Sequence, residues 1–172
     1  ETAHKADEYL DVIEHEIRQR ASLLNGREVT QLHFGGGTPT FLSKTQITRL
    51  MMILRDEFNF TADAEISIEV DPREIELDVL DHLRNEGFNR LSIGVQDFNK
   101  EVQKLVNREQ DEEFIVAMVQ RAKELGFRST NLDLIYGLPK QTQALFAETL
   151  KQVLEMKPGR LSVFNYAHMP QL

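Results

Sequence analysis

Three consecutive glycines, Gly35-Gly36-Gly37, close the apolar run Leu32-His33-Phe34 and lead into Thr38-Pro39. A turn of this kind needs no side chains and lets backbone N–H groups approach a ligand closely. It does not match the phosphate-binding patterns, since neither GxxxxGK[ST] nor a GxGxxG that opens a helix occurs here. Further along, Glu69, Gln96 and Asp133 lie in segments that alternate. Ile66, Ile68 and Val70 oppose Ser67 and Glu69, and Leu91, Ile93 and Val95 oppose Ser92, Gly94 and Gln96. Leu132 and Leu134 likewise oppose Asn131 and Asp133. Acidic groups inside strands are costly unless paired or ligand-bound, so this polar face points to a polar, zwitterionic ligand. No Ser/His/Asp triad, HExxH motif or EF-hand pattern appears, and no catalytic side chain or metal-ligand set is assigned within the chain. These residues are suited to holding a molecule rather than attacking it.

Elements that could position such a face follow from hydrophobic periodicity. Ala6, Leu10, Ile13, Ile17, Ala21 and Leu24 recur at helical spacing, which predicts a helix over about 4–24. Val29 to Phe34 reads as a strand, and Ser43 with Gln46 forms a capping box ahead of Ile47, Leu50, Met51 and Leu54. Glu65–Val70 reads as the next strand. Asp71-Pro72-Arg73-Glu74 then reads as an N-cap with Pro at the first helical position, and that helix stops at Gly87. The unit repeats, with strands at Arg90–Val95, Thr130–Tyr136 and Leu161–Tyr166. Helices fill the gaps from about Asp111 to Gly126 and from about Thr142 to Met156. Strands separated by helices imply parallel pairing.

The polar alternation selects between two parallel architectures. Strands of an open doubly wound sheet, covered on both faces, are apolar throughout. A polar inner face favours a wide, partly open barrel, so the fold class is α/β, a partial TIM-like barrel with about five strands. Ligands in such folds sit at the carboxyl ends of the strands. Those ends read GGGTP, EVDP, QDF, GLPK and NYAHMP. His33 and the Gly137-Leu138-Pro139 turn also have plain structural readings, as a core histidine and a tight turn.

Composition sets the outer bounds. The 172 residues, 41% of them apolar, suffice for a single core and a single domain spanning 1–172. A formal charge of −8 argues against nucleic acid or an anionic membrane surface as the main partner. No apolar run approaches the roughly 20 residues that cross a bilayer, and the expected location is cytoplasmic. Cysteine is absent, so the chain offers no thiolate for a metal or cluster.

The segments GGGTPTFL, EISIEVDP, RLSIGVQDF, LVNREQ, NLDLIYGLPKQT and LSVFNYAHMP together resemble the oxygen-independent coproporphyrinogen III oxidases. These are radical S-adenosylmethionine (SAM) enzymes of haem biosynthesis. The resemblance runs from about His4 to Pro170 and implies a partial (β/α)6 barrel. It also implies a [4Fe–4S] cluster on a three-cysteine loop, SAM chelated at the open iron, and a deoxyadenosyl radical that initiates loss of CO2 from substrate propionates. Carried over residue by residue, it places Gly36, Gly37 and Glu69 on one SAM molecule. Thr38, Gln96, Arg108, Asp133 and the backbone of Ala167 match a second SAM site. The implied partners are coproporphyrinogen III and an electron donor to the cluster, and the parent protein is expected to be monomeric.

The cysteine loop and the substrate-binding domain of that family have no counterpart here. The expectation is therefore a core piece that lacks the first strand and the cluster loop, is inactive alone, and has an exposed strand edge near Val29–Phe34. A second family on the same scaffold, the radical-SAM-like haem chaperones, is the alternative. Its members tend to carry a small residue and Asn-Pro where this chain has Glu69-Val70-Asp71-Pro72, and they lack the FNYAHMP segment.

Overall fold

A computed structural model describes residues 2–170, in which strand and helix alternate as the periodicity predicts. Helix α1 (Thr2–Ala21) is followed by β1 (Glu28–Phe34), α2 (Lys44–Glu57), β2 (Asn59–Val70) and α3 (Val79–Asn85). Strand β3 (Arg90–Gln96), helices α4 (Lys100–Leu105) and α5 (Glu112–Glu124), β4 (Ser129–Tyr136), α6 (Gln143–Met156) and β5 (Arg160–Asn165) complete the order. Side-chain caps set the helix starts. Ser43 and Gln46 form the reciprocal capping box of α2, while Asp111 and Thr142 accept from backbone N–H groups in the first turns of α5 and α6. A cap of this kind contributes about 1 kcal/mol.

All five strands are parallel and lie in the order β1-β2-β3-β4-β5. A doubly wound sheet would reverse direction part-way; a strictly sequential order winds one way and makes half a barrel. The outer, helix-covered face carries Ile66, Ile68, Leu91, Ile93, Leu132 and Leu134, which pack with Met51, Leu80, Leu83, Ile115, Met118 and Val153 in one core. Phe88 is fully buried and meets Phe34 edge to face, with centroids 5.2 Å apart. The inner face carries the polar partners. Glu69 lies beside Ser92, Ser92 beside Asn131, and Gly94 beside Asp133, which is beside Ser162. Strands β1 and β5 form the sheet edges among the described residues. No helix among them is long and apolar enough to cross a membrane.

The structure departs from the periodicity in three places. Strand β2 begins at Asn59 rather than near Glu65, because Asn59 and Phe60 pair with Glu28 and Val29 ahead of a register shift in β1. Asp71 does not cap a helix: α3 starts at Val79, and the Asp71 carboxylate is instead engaged by Arg73 and Arg108. The short helix α4 had no periodic signal, since six residues are too few to show one; the Asn99 side chain starts it by accepting from Glu101 N and Val102 N.

Candidate functional site: a polar cleft at the strand ends

The three glycines that end β1 serve different ends. Gly36 and Gly37 have φ of +77° and +57°, the left-handed region where side chains are strained. Gly35 is a glycine for space, since a Cβ there would lie 2.5 Å from His33 Nε2 and 2.8 Å from Glu69 Oε1. The turn therefore packs directly on the end of β2. Gly36 N–H donates to Glu69 Oε2 at 3.1 Å, and His33 stands between Ser67 Oγ (2.7 Å from Nδ1) and Glu69 Oε1 (3.3 Å from Nε2). His33 is thus part of the polar face rather than a core histidine.

A cleft of about 140 Å³ opens beside this turn. Gly37, Thr38, Glu69, Gln96, Arg108 and Asp133 all line it, so six of the eight residues singled out in the sequence converge there. Gly36 joins them through its bond to Glu69. Ala167 lies outside the cleft, exposed in the segment after β5, where Tyr166 N donates to Tyr136 O at 2.9 Å. Gln96 has φ +67° at a register shift between β3 and β4, a costly conformation for a side chain of its size.

The floor of the cleft is a hydrogen-bonded relay. Asn131 Nδ2 donates to Ser92 Oγ (2.8 Å) and Asp133 Oδ1 (2.6 Å), Ser92 Oγ donates to Asp133 Oδ2 (3.0 Å), and Ser162 Oγ donates to Asn131 Oδ1 (3.1 Å). Burial pushes the Asp133 carboxyl above the usual range; the bonds from Ser92, Asn131 and Ser162 oppose this, and the nearby charge of Glu69 adds to it. Opposite, Arg108 is half-buried, and desolvation lowers its pKa from the usual arginine value. Its Nε is buried without a hydrogen-bond partner among the described residues. A cationic fork faces the carboxylates of Glu69 and Asp133 across a small polar cleft, which Asp71, bonded to Arg108 Nη2, also lines. That arrangement suits a zwitterion with hydroxyls.

Sequence reasoning put Ser92 and Asn131 on the polar face without giving them a role, and did not name Ser162. Their alternation with Leu91, Leu132 and Leu161 did carry the signal, because it puts them on the face that bears Asp133. A larger groove, about 550 Å³, runs beside β1 between α1 and α2. Tyr9, Ile13, Phe34, Phe41 and Leu50 make it mainly apolar, so the charge-bearing chemistry lies in the smaller cleft.

A family model described as the radical SAM superfamily matches residues 3–153. The chain belongs to the radical SAM superfamily. Among relatives of this superfamily member, oxygen-independent coproporphyrinogen III oxidase of Escherichia coli (strain K12) is 73% identical over 169 residues, covering 98% of this chain and 37% of that protein. The Pseudomonas aeruginosa protein of the same name is 55% identical over 145 residues, covering 83% of this chain and 32% of that one. Coproporphyrinogen III oxidase from Escherichia coli, solved and described as a radical SAM enzyme, superimposes with a TM-score of 0.95 at 73% identity, over 98% of this chain and 39% of that one. The radical SAM methyltransferase TsrM from Kitasatospora setae superimposes with a TM-score of 0.64 at 12% identity, over 87% of this chain and 29% of that one, which shows the shared fold. This radical SAM chain spans 37% of the length of the Escherichia coli relative.

Proposed function

We propose that the cleft binds S-adenosylmethionine, and that the chain is the central part of an enzyme that converts coproporphyrinogen III to protoporphyrinogen IX by oxygen-independent oxidative decarboxylation. The 73% identity over 169 residues to the Escherichia coli oxidase carries this reading. The chemistry of the lining supports this reading: the Arg108 guanidinium, the Gln96 amide and the carboxylates of Glu69 and Asp133 all border one polar cleft. The iron–sulfur cluster is different. The chain has no cysteine, so the thiolates for a [4Fe–4S] cluster come from outside these 172 residues.

Each residue then has a binding role. Glu69 accepts from an ammonium or a ribose hydroxyl while Gly36 N–H holds its other oxygen. Asp133 accepts from a hydroxyl, with Ser92 and Asn131 fixing its plane. Arg108 donates to a carboxylate, Gln96 offers a donor and an acceptor, and Gly37 and Thr38 line the cleft on the side of the glycine turn. SAM bound at a reduced cluster supplies the one-electron chemistry, and the protein orients it and keeps water away. We read the whole protein as a cytoplasmic monomer served by a separate electron donor. The test is anaerobic turnover of the full-length protein with coproporphyrinogen III, SAM and a reductant. Formation of protoporphyrinogen IX supports the reading; a cluster-loaded protein that consumes no coproporphyrinogen III overturns it.

A further inference from the structure

The loop that carries Arg108 leaves the end of α4, and its backbone is fastened from below. Arg108 N–H donates to Gln103 O at 2.8 Å, buried Gln103 donates to Asp97 O at 2.8 Å, and buried Gln110 donates to Val95 O. These bonds fix the main chain and leave the guanidinium undirected. Among the described residues, the one side chain that bonds it is Asp71, with Nη2 3.3 Å from Oδ2. Asp71 is itself held tightly. Its side chain is 11% exposed, Oδ1 accepts from Arg73 N and Nε at 3.0 Å each, and Oδ2 accepts from Arg73 Nη2 at 2.6 Å. Arg73 then reaches across to donate from Nη1 to the carbonyl of Asn107 at 3.1 Å, one residue before Arg108.

These contacts make a strut. It runs from the end of β2 through Asp71 and Arg73 to the loop, and it ends on the guanidinium that faces the cleft. One carboxylate oxygen, Oδ2, is shared between two arginines, so the angle at which Arg108 presents its free donors is set by where Arg73 holds Asp71. We propose that Asp71 is a positioning residue for the cofactor cleft, acting through Arg108 to aim its guanidinium at the ligand. The proposal rests on reading the cleft as a SAM site. Without Asp71, two arginines of like charge would face each other and the half-buried Arg108 would lose its counter-charge, favouring rotation away from the cleft. A purely structural ion pair between Asp71 and Arg73 would stabilise the fold but would have no bearing on what Arg108 does.

A double-mutant cycle on the full-length, cluster-loaded protein separates the two roles, read as the equilibrium Kd for SAM with the melting temperature as a check on folding. Asp71→Ala is expected to weaken SAM about tenfold beside a native Arg108, and by less than about twofold in the Arg108→Ala background. Equal losses in both backgrounds would show that Asp71 does not act through Arg108 and would overturn the proposal, as would an unchanged Kd for Asp71→Ala. If Asp71→Ala does not fold, Asp71→Asn and Arg73→Lys enter the same cycle with the same expectation. If Arg108→Ala leaves SAM binding intact while Glu69→Gln loses it, the cleft reading stands and the proposal falls. If neither variant changes SAM binding, the cleft reading itself fails and takes the proposal with it.

Discussion

The backbone N–H of Gly36 donates to Glu69 Oε2 at 3.1 Å, joining the glycine turn of β1 to the carboxyl end of β2. This bond fixes the carboxylate without consuming it: Glu69 lines the cleft, and its Oε1 has only a 3.3 Å contact to His33. The side chain is 43% exposed, so its contribution to folding is small and its value lies in what it presents. Glu69→Gln is therefore expected to weaken SAM binding by about tenfold in the full-length protein, the cost of one charge-assisted hydrogen bond. Its melting temperature should move by no more than about 2 °C. Calorimetric titration with SAM and a thermal melt check the two halves; a large fall in melting temperature would make Glu69 structural.

Two carboxylates at the cleft titrate in opposite directions. Burial raises Asp133, which makes the folded protein hold this proton more tightly than the unfolded chain does. Its penalty is absent below the unfolded value and present above the folded one. For Asp71, burial acts upward, but the Arg73 hydrogen bonds and the charges of Arg108 and Arg73 outweigh it and lower the pKa. Its stabilisation is present above the unfolded value and lost as pH falls through the folded one. Asp133→Asn should raise the melting temperature at pH 7 by about 1–2 °C, with the gain vanishing below about pH 4. Asp71→Asn should lower it at pH 7, with the deficit shrinking below about pH 4. Melting curves from pH 3 to 7 test both, and slopes of the same sign for the two variants would contradict the assignment.

Periodicity made the fold legible because both faces of each strand announced themselves. Ile66, Ile68 and Val70 against Ser67 and Glu69 fixed the strand, the buried side and the polar side at once. The partial barrel could be argued from that polar face, whereas the strictly sequential order of the strands is seen only in the structure. Where the helix-start pattern failed, side-chain pairing had redirected the capping group. Asp71-Pro72-Arg73-Glu74 has the letters of a helix start, but the carboxylate is held by Arg73 N, Nε and Nη2 and touched by Arg108, 37 residues later, and the chain turns instead. Arg108 itself had no local signal, being a loop residue whose place depends on Gln103 and Gln110 binding backbone carbonyls of Asp97 and Val95. Only the resemblance pointed to it. Ala167 was also named by resemblance, and the strands and loops that form the cleft do not reach it.

The frame that holds the cleft depends on Phe88. It is fully buried, closes the turn between α3 and β3, and stands edge to face with Phe34, the residue just before the glycine turn. Truncation to alanine in a packed core costs about 3–5 kcal/mol. Phe88→Ala should therefore lower the melting temperature by about 10 °C or more in a chain of this size. Phe88→Leu should recover most of that loss. A shift of only a degree or two for Phe88→Ala would mean that the core relaxes around the vacancy.

Gly94 offers the sharpest separation of binding from stability. It lies inside β3 opposite Asp133, and its backbone is ordinary strand, so no dihedral requires a glycine. A Cβ there would sit 3.2 Å from Gln96 Nε2 and 3.4 Å from Arg108 Nη2. Both neighbours are the far ends of flexible side chains, so the fold can accommodate alanine by moving them a few tenths of an ångström. Replacing a mid-strand glycine by alanine ordinarily favours the strand by about 0.5–1 kcal/mol. Gly94→Ala should then leave the melting temperature unchanged or raise it by about 1–3 °C. The same displacement pushes two ligand-facing groups off their positions and covers the strand surface that a ligand would approach. SAM affinity in the full-length protein should fall by about tenfold, the scale of one disturbed charged hydrogen bond. Melting curves and SAM titration on one preparation decide it: an unchanged Kd would mean that the ligand does not approach β3, and the cleft would have to be read as open to a smaller group at the β1–β2 end alone.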